Sequence, residues 1–178
     1  MDAPAPVFVI VGQLSAGKST VARALLDRYP FGYLIDVDEI REMVTSGLAS
    51  PLEWNAETSR QFSLAISAAA ALARLYAHAG FAVAIEGAVD PELAEAALKE
   101  HGLLDRMVGI VLHPRLNVAL ERNRTRRTKA FETSILEGTM RQIENDVARN
   151  AARAGWHEID NSDDTVDSTV DGILAYRR

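Results

Sequence analysis

The stretch FVIVGQLSAGKST, residues 8–20, decides the fold. An apolar run rich in strand formers breaks at Gly12, crosses four residues, and reaches Gly17, Lys18 and Ser19, where an apolar pattern of helical period begins. The spacing is G-x-x-x-x-G-K-[ST] between a predicted strand and a predicted helix. Glycine admits backbone conformations in which a side chain would clash. The successive amides of Gln13, Leu14, Ser15, Ala16, Gly17, Lys18 and Ser19 are therefore expected to curl around one centre and hold phosphate oxygens. The helix that starts near Lys18 aims unsatisfied N–H groups and its positive dipole end at the same anion. Lys18 adds a mobile point charge for the outer phosphates, the Ser19 hydroxyl suits a magnesium ion that shares them, and Thr20 adjoins an inner phosphate. A nucleoside triphosphate with Mg2+ is the expected ligand.

The rest of the composition narrows what surrounds this corner. A chain of 178 residues with 48% hydrophobic content is the size of one globular domain, so residues 1–178 are expected to fold as a unit. Its 25 acidic and 19 basic side chains leave a formal charge of -6, which disfavours nonspecific attraction to nucleic acid or an anionic membrane. Any polyanion must be gripped locally. Cysteine is absent, which removes disulfides, thiolate metal sites and a cysteine nucleophile. The opening MDAPAPV lacks the basic flank and apolar core of a signal peptide, and the apolar run at residues 68–73 is too short to span a bilayer. The expectation is a soluble, cytoplasmic protein.

Apolar strands alternate with helical patterns, the signature of an α/β fold whose parallel sheet is covered on both faces. Strands are expected at residues 7–11, 33–36, 81–86, 108–113 and 156–160. Helices are expected at residues 19–29, 38–45, 57–78, 90–101, 116 to about 126 and 136–153, with a last one carrying Val166, Val170, Ile173 and Leu174 on one face. Residues 46–56, SGLASPLEWNA, carry the Gly, Pro and Ser of a loop. That loop reads either as the border of an acceptor pocket or as a plain surface connection.

Triphosphate binding alone does not specify an activity. No N-K-x-D or D-x-x-G element of a guanine-nucleotide switch is present, there is no LSGGQ-like transporter signature, and the chain is short for most motor or ring ATPases. A small kinase remains. In LIDVDEIREM, residues 34–43, a strand runs into a helix at the carboxyl edge of the sheet, where ligands of open α/β sheets collect. An alcohol is a poor nucleophile, and a carboxylate within hydrogen-bond reach orients and deprotonates it as phosphoryl transfer proceeds. Asp38, or Asp36 in its place, fits that task. The same residues also read as a cap, with Asp36 at the cap position and Glu39 three residues on, and Arg41 as a helix-surface partner of Asp38. Glu86, at the end of the third strand, suits a magnesium water or an acceptor, or is a satisfied strand-end carboxylate. Asp90, followed by Pro91, reads as a helix cap.

The densest positive charge is RNRTRRTK, residues 122–129. Leu116, Leu120 and Asn123 share a helix face with Arg127, so a continuing helix would drive Arg127 into the core without a partner. The helix is therefore expected to leave the core and enter a cleft or a lid, over about residues 122–137. A solvated basic face and a nucleic-acid patch are the other readings of these charges. Arg141 and Arg149 are weaker lid candidates. In WHEIDNSDDT, Asn161 follows the last strand, and Ser162 reads as a cap of the final helix.

On these residues the chain resembles the small P-loop kinases: gluconate and shikimate kinases, chloramphenicol phosphotransferase, zeta-type toxins and polynucleotide kinase. The resemblance spans residues 7–174 in element order, with the phosphate loop as its most specific part. It implies a three-layer P-loop nucleoside triphosphate hydrolase fold, with a five-stranded parallel sheet flanked by helices and a short basic lid. Asp38 and Arg41 match the D-x-x-R element, in which the aspartate accepts the acceptor's proton and the arginine positions substrate or phosphates. In the family's sheet order the second strand lies two places from the first, a gap of about 10 Å that accommodates a γ-phosphoryl and a hydroxyl. Arg122 and Arg126 resemble the R-x-x-x-R lid, whose guanidinium groups cover adenine and the migrating phosphoryl, and Asn161 falls on the loop that lies against the base. The implied activity is transfer of the ATP γ-phosphoryl to a hydroxyl of a small molecule, with Ser19 and Glu86 serving Mg2+. A polynucleotide or nucleotide-sugar kinase of the zeta-toxin kind, and a noncatalytic ATP-binding protein or simple ATPase, are the alternatives.

Overall fold

The computed structural model describes residues 5–51, 53–125, 138, 140 and 155–176. Five parallel strands form one sheet: β1 (Val7–Gly12), β2 (Gly32–Asp36), β3 (Ala82–Glu86), β4 (Met107–Leu112) and β5 (Trp156–Ile159). Their order is β2-β3-β1-β4-β5. The second strand thus lies two places from the first, and the expected α/β fold with a parallel sheet is what forms. Side-chain alternation along β1 explains the layers. Val7, Val9 and Val11 point into one core with Ile35, Val83, Ile85 and Val111, whereas Phe8 and Ile10 point into the other with Ala84, Ile110 and Leu112.

Each core is closed by helices. Helix α1 (Lys18–Leu26) and the final helix, α6 (Val166–Tyr176), cover the second face through Val21, Leu25, Val170 and Ile173. On the other face lie α3 (Ala56–His78), which packs Ala65, Ile66, Ala69, Ala70 and Ala73, and α4 (Pro91–Glu100), which packs Ala94, Ala97 and Leu98. Alanines along α3 let this long helix lie close to the sheet. The short α2 (Val37–Glu42) follows β2 directly, and α5 (Leu116–Thr125) follows β4. Buried Met140 packs with Ala119 and Leu120 of α5.

Boundaries differ from the sequence expectation for local reasons. Helix α1 stops three residues early, where Arg28 and Tyr29 donate to the carbonyls of Leu25 and Leu26 in tight turns before Pro30, which excludes the helical conformation from its predecessor. Helix α2 also ends early, at Glu42. A turn of 3-10 helix at Leu104–Arg106, which no periodicity announced, leads into β4. The expected helix at residues 136–153 and the lid beyond residue 125, including Arg126, Arg127, Arg141 and Arg149, lie outside the described residues.

Two glycines give opposite stability predictions. Gly12 has φ +147, and a Cβ there would sit 2.2 Å from the Leu112 carbonyl oxygen. Gly12→Ala therefore costs about 3 kcal/mol or more. Gly172 lies inside α6 with nothing within 4 Å of an added Cβ. Gly172→Ala gains about 0.5–1 kcal/mol through helix propensity. Chemical denaturation of the two variants beside the wild type checks both signs.

Candidate active site

The loop between β1 and α1 turns back on itself because Ser15 (φ 60) and Gly17 (φ 92) adopt left-handed conformations and Ala16 N–H donates to the Gln13 carbonyl at 3.2 Å. Gly17 caps α1 without a side chain, so the first amides of the helix open onto the concavity of the loop. Lys18 Nζ donates to the carbonyls of Gly12 and Gln13, both at 3.1 Å. Its ammonium group therefore lies over the mouth of the loop.

Three side chains brace this loop. The Gln13 side chain is buried and its Nε2 donates to the Pro114 carbonyl at 2.5 Å, tying the loop to the end of β4. Asn161, also buried, donates from Nδ2 to the Ala16 carbonyl at 2.9 Å. Ser15 Oγ donates to Asn123 Oδ1 at 3.2 Å, which docks the last turn of α5 onto the loop. Arg122 in that turn donates to the Asn161 carbonyl at 2.9 Å. Arg122 thus belongs to the scaffold behind the nucleotide corner; Arg126, its expected lid partner, falls outside the described residues. The expected Ser162 cap does not form. Ser162 Oγ accepts from Arg115 N–H and donates to Asp160, while Thr165 Oγ1 caps α6 by accepting from Ser168 N–H at 3.1 Å.

Parallel register brings the acidic residues together. Asp36 and Ile10 both pair with Glu86 across β3, so the carboxyl ends of β2 and β3 finish level beside the phosphate loop. Asp36 is the helix cap: its Oδ1 accepts from Asp38 N–H at 2.9 Å and from Glu39 N–H at 3.3 Å. Asp38 stands two residues further on, in the first turn of α2. An added Cβ on Gly87 (φ +121) would lie 3.3 Å from Asp38 Oδ2 and 3.3 Å from Asp36 Oδ1. The bare backbone of Gly87 is what leaves both carboxylates room at this rim.

Glu86 is 2% exposed, and its Oε1 has no hydrogen-bond partner among the described residues. Burial pushes its carboxyl above the ordinary value; a hydrogen bond with Ser19 opposes this, the Asp36 charge adds to it, Lys18 opposes it, and Asp38 adds to it. A buried carboxylate oxygen without a partner, beside a hydroxyl at the start of a phosphate-binding helix, fits a hard divalent cation. Among the described residues no group of three or more His, Cys, Asp or Glu side chains forms a metal site. A cation held here would have to take its remaining ligands from outside these side chains.

An open cavity of about 400 Å³ borders the loop. Gly12 and Gly87 line one end, so it meets the phosphate corner next to Asp38; Trp54, Phe62, Ile66, Val89 and Leu93 line the rest. Residues 46–56 are the border of this cavity through Trp54. The loop is held down by Gln61, whose Nε2 donates to the Gly47 carbonyl at 2.8 Å, and by Thr58 Oγ1, which donates to the Ser50 carbonyl at 3.2 Å. Arg41 differs most from expectation. Its guanidinium is buried, donates to the Ala49 carbonyl at 2.8 Å, and lies 4.7 Å from the centre of the Phe62 ring. These contacts brace the cavity wall. Trp54 and Phe62 escaped the sequence reading, as did the bracing role of the Gln13 side chain; only the aromatic in the 46–56 loop gave a signal for the first of them.

Residues 7–145 match the family model AAA_33, described as an AAA domain. No curated protein matches the chain. Among solved structures, a sugar kinase from Janibacter sp. HTCC2649 superposes with a TM-score of 0.70 at 15% identity, covering 98% of this chain and 95% of that one. The tunicamycin resistance protein of Deinococcus radiodurans superposes with a TM-score of 0.65 at 18% identity, covering 97% of this chain and 95% of that one. The shikimate kinase of Acinetobacter baumannii, in complex with shikimate, gives 0.62 at 19% identity, with 97% and 93% covered. At these identities the likeness is one of fold.

The Glu86 environment yields a stability prediction with a definite sign. Its folded-state affinity for a proton exceeds the unfolded one, so the native state holds the extra proton and stability falls as pH rises above the ordinary carboxylate range. Glu86→Gln removes that loss. Thermal melts are expected to show the variant gaining on the wild type at pH 8 and far less at pH 4.

Proposed function

We propose, from the premise that this chain belongs to the AAA_33 family, that it is an ATP-dependent phosphotransferase acting on a hydroxyl of a small molecule. One observation carries the proposal: Gly12 of the phosphate-type loop and Gly87, whose added Cβ would lie 3.3 Å from Asp38 Oδ2, line one and the same cavity. A phosphate loop alone suits hydrolysis or mere binding. A carboxylate at the rim of a separate substrate-sized cavity suits transfer.

In the proposed reaction, the amides of residues 13–19 hold the β- and γ-phosphates of ATP, with Thr20 beside the inner phosphate. The Lys18 ammonium exchanges the carbonyls of Gly12 and Gln13 for phosphate oxygens. Ser19 and Glu86 would hold Mg2+, which supplies charge neutralisation on the phosphates. Asp38 accepts the proton of the acceptor hydroxyl as its oxygen bonds to the γ-phosphorus and the bond from that phosphorus to the β–γ bridging oxygen breaks, leaving ADP. Asp36, committed to the cap, keeps α2 and therefore Asp38 in position. Arg41 acts through the wall it braces, and Arg122 through Asn161. Arg126 is proposed to serve the migrating phosphoryl from the basic segment, whose closure excludes water and suppresses hydrolysis. The net charge of -6 argues against a polynucleotide end as acceptor.

The test is transfer of label from γ-labelled ATP to a panel of hydroxyl compounds. Product formation is expected with the wild type. Lys18→Ala lowers the rate on the order of 10²–10³ fold, through loss of charge stabilisation. Asp38→Asn lowers it about 10²–10⁴ fold, the usual worth of a general base, with ATP affinity retained. ATP bound or hydrolysed with no labelled product from any acceptor refutes the proposal.

A further inference from the structure

The chemistry of the cavity specifies which hydroxyl compounds fit, on the reading that this cavity receives the acceptor. We propose that the acceptor is an uncharged, flat, apolar alcohol that stacks on Trp54, and not a sugar acid or a phosphorylated metabolite.

The Trp54 indole is 64% exposed, an unusual state for so large an apolar surface. It is nevertheless held in one orientation. Its Nε1 donates to Ser59 Oγ at 2.8 Å, and its ring stacks on Phe62 with centroids 5.1 Å apart and planes 12° from parallel. The Arg41 guanidinium backs Phe62, so the ring beneath the indole is itself fixed. A tryptophan whose only polar atom is already bonded presents a rigid π-face to the cavity, at little further entropic cost on binding.

Recognition of an anion requires a cation or a set of free donors, because a carboxylate or phosphate that leaves water without them is strongly disfavoured. The described residues lining this cavity include no Lys, Arg or His. Asp90 is the charged one, and its Oδ1 is occupied by Leu93 N–H at 3.0 Å. The two lining serines bond locally: Ser59 Oγ donates to the Asn55 carbonyl and Ser63 Oγ to the Ser59 carbonyl. Arg41 is 4% exposed and bonds the Ala49 carbonyl. Beside the lining residue Gly87 lie the carboxylates of Asp36 and Asp38, each 3.3 Å from an added Cβ there, and they repel a second anion. Apolar stacking is what the remaining surface of Val11, Ile66, Val89 and Leu93 offers.

The test separates this inference from the transferase reading by measuring binding apart from transfer. Lys18→Ala protein is titrated by calorimetry with 2-naphthylmethanol, 4-nitrobenzyl alcohol and oestradiol as neutral probes, and with gluconate, shikimate and glucose 6-phosphate as anionic ones. Labelled ATP transfer to all six is then followed with the wild type. Neutral probes are expected to bind, and anions not. Trp54→Ala is expected to weaken neutral-probe binding about tenfold, the worth of one aromatic stack, and Trp54→Phe to restore most of it, with ATP affinity unmoved. Preferential binding or phosphorylation of the anions overturns the inference and leaves the transferase reading standing. Neutral probes that bind in a Trp54-dependent way yet accept no phosphate from the wild type uphold the cavity's recognition of flat neutral alcohols but overturn their role as acceptor and count against transferase activity. Failure of every probe to bind, or neutral binding indifferent to Trp54, overturns it.

Discussion

The approach of two main chains at the end of β1 governs the rest of the structure. Gly12 pairs with Leu112 of the neighbouring strand so closely that a Cβ would meet its carbonyl oxygen at 2.2 Å. Only there does the chain leave the sheet at the angle that lets Ser15 and Gly17 turn left-handed and present the start of α1 to an anion. Every later element of the site takes its position from that departure. Gln13 and Asn161 fix the loop from behind, Glu86 meets it from the adjoining strand β3, and Asp38 stands beyond at the start of α2.

Charge placement at this corner is internally opposed, which suits the proposed binding of an anion together with a cation. Lys18 rests on carbonyls, and Glu86 is buried with an unbonded oxygen next to two other carboxylates. Such groups cost folding stability, and on the proposed reading they gain when a polyphosphate and a divalent cation bind. Preorganised groups of this kind are the usual source of transition-state stabilisation, because little reorganisation is left for the reaction itself. The apolar cavity alongside is organised by different means, through Trp54 and Phe62 held by a serine and an arginine.

Much of this was legible in the amino-acid order, and the reasons differ by residue. The loop from Gly12 to Ser19 was legible because its function requires glycine at fixed spacing, a local constraint. Asp36 and Asp90 announced themselves as caps, since capping acts within three residues. The unbroken apolar run at 7–11 located the central strand, because a strand buried on both faces has no polar side to show. What stayed illegible depends on contacts distant in sequence. Gln13 meets Pro114 across 101 positions, and Asn161 meets Ala16 across 145. By resemblance to the D-x-x-R element Arg41 positions substrate or phosphates; in the structure its guanidinium bonds the Ala49 carbonyl of the 46–56 loop and lies over Phe62. Trp54 reads as one residue of a loop until α3 supplies Phe62 and Ser59 beneath it.

The most direct measurement is a crystal structure of the protein with magnesium and a nonhydrolysable ATP analogue. The expected density has the β-phosphate ringed by the amides of residues 13–19, Lys18 Nζ moved off the Gly12 carbonyl onto phosphate oxygens, and the terminal phosphate facing Asp38 across the Gly87 rim. A nucleotide bound elsewhere with the loop unchanged, or a terminal phosphate directed away from Asp38 and the cavity, contradicts it.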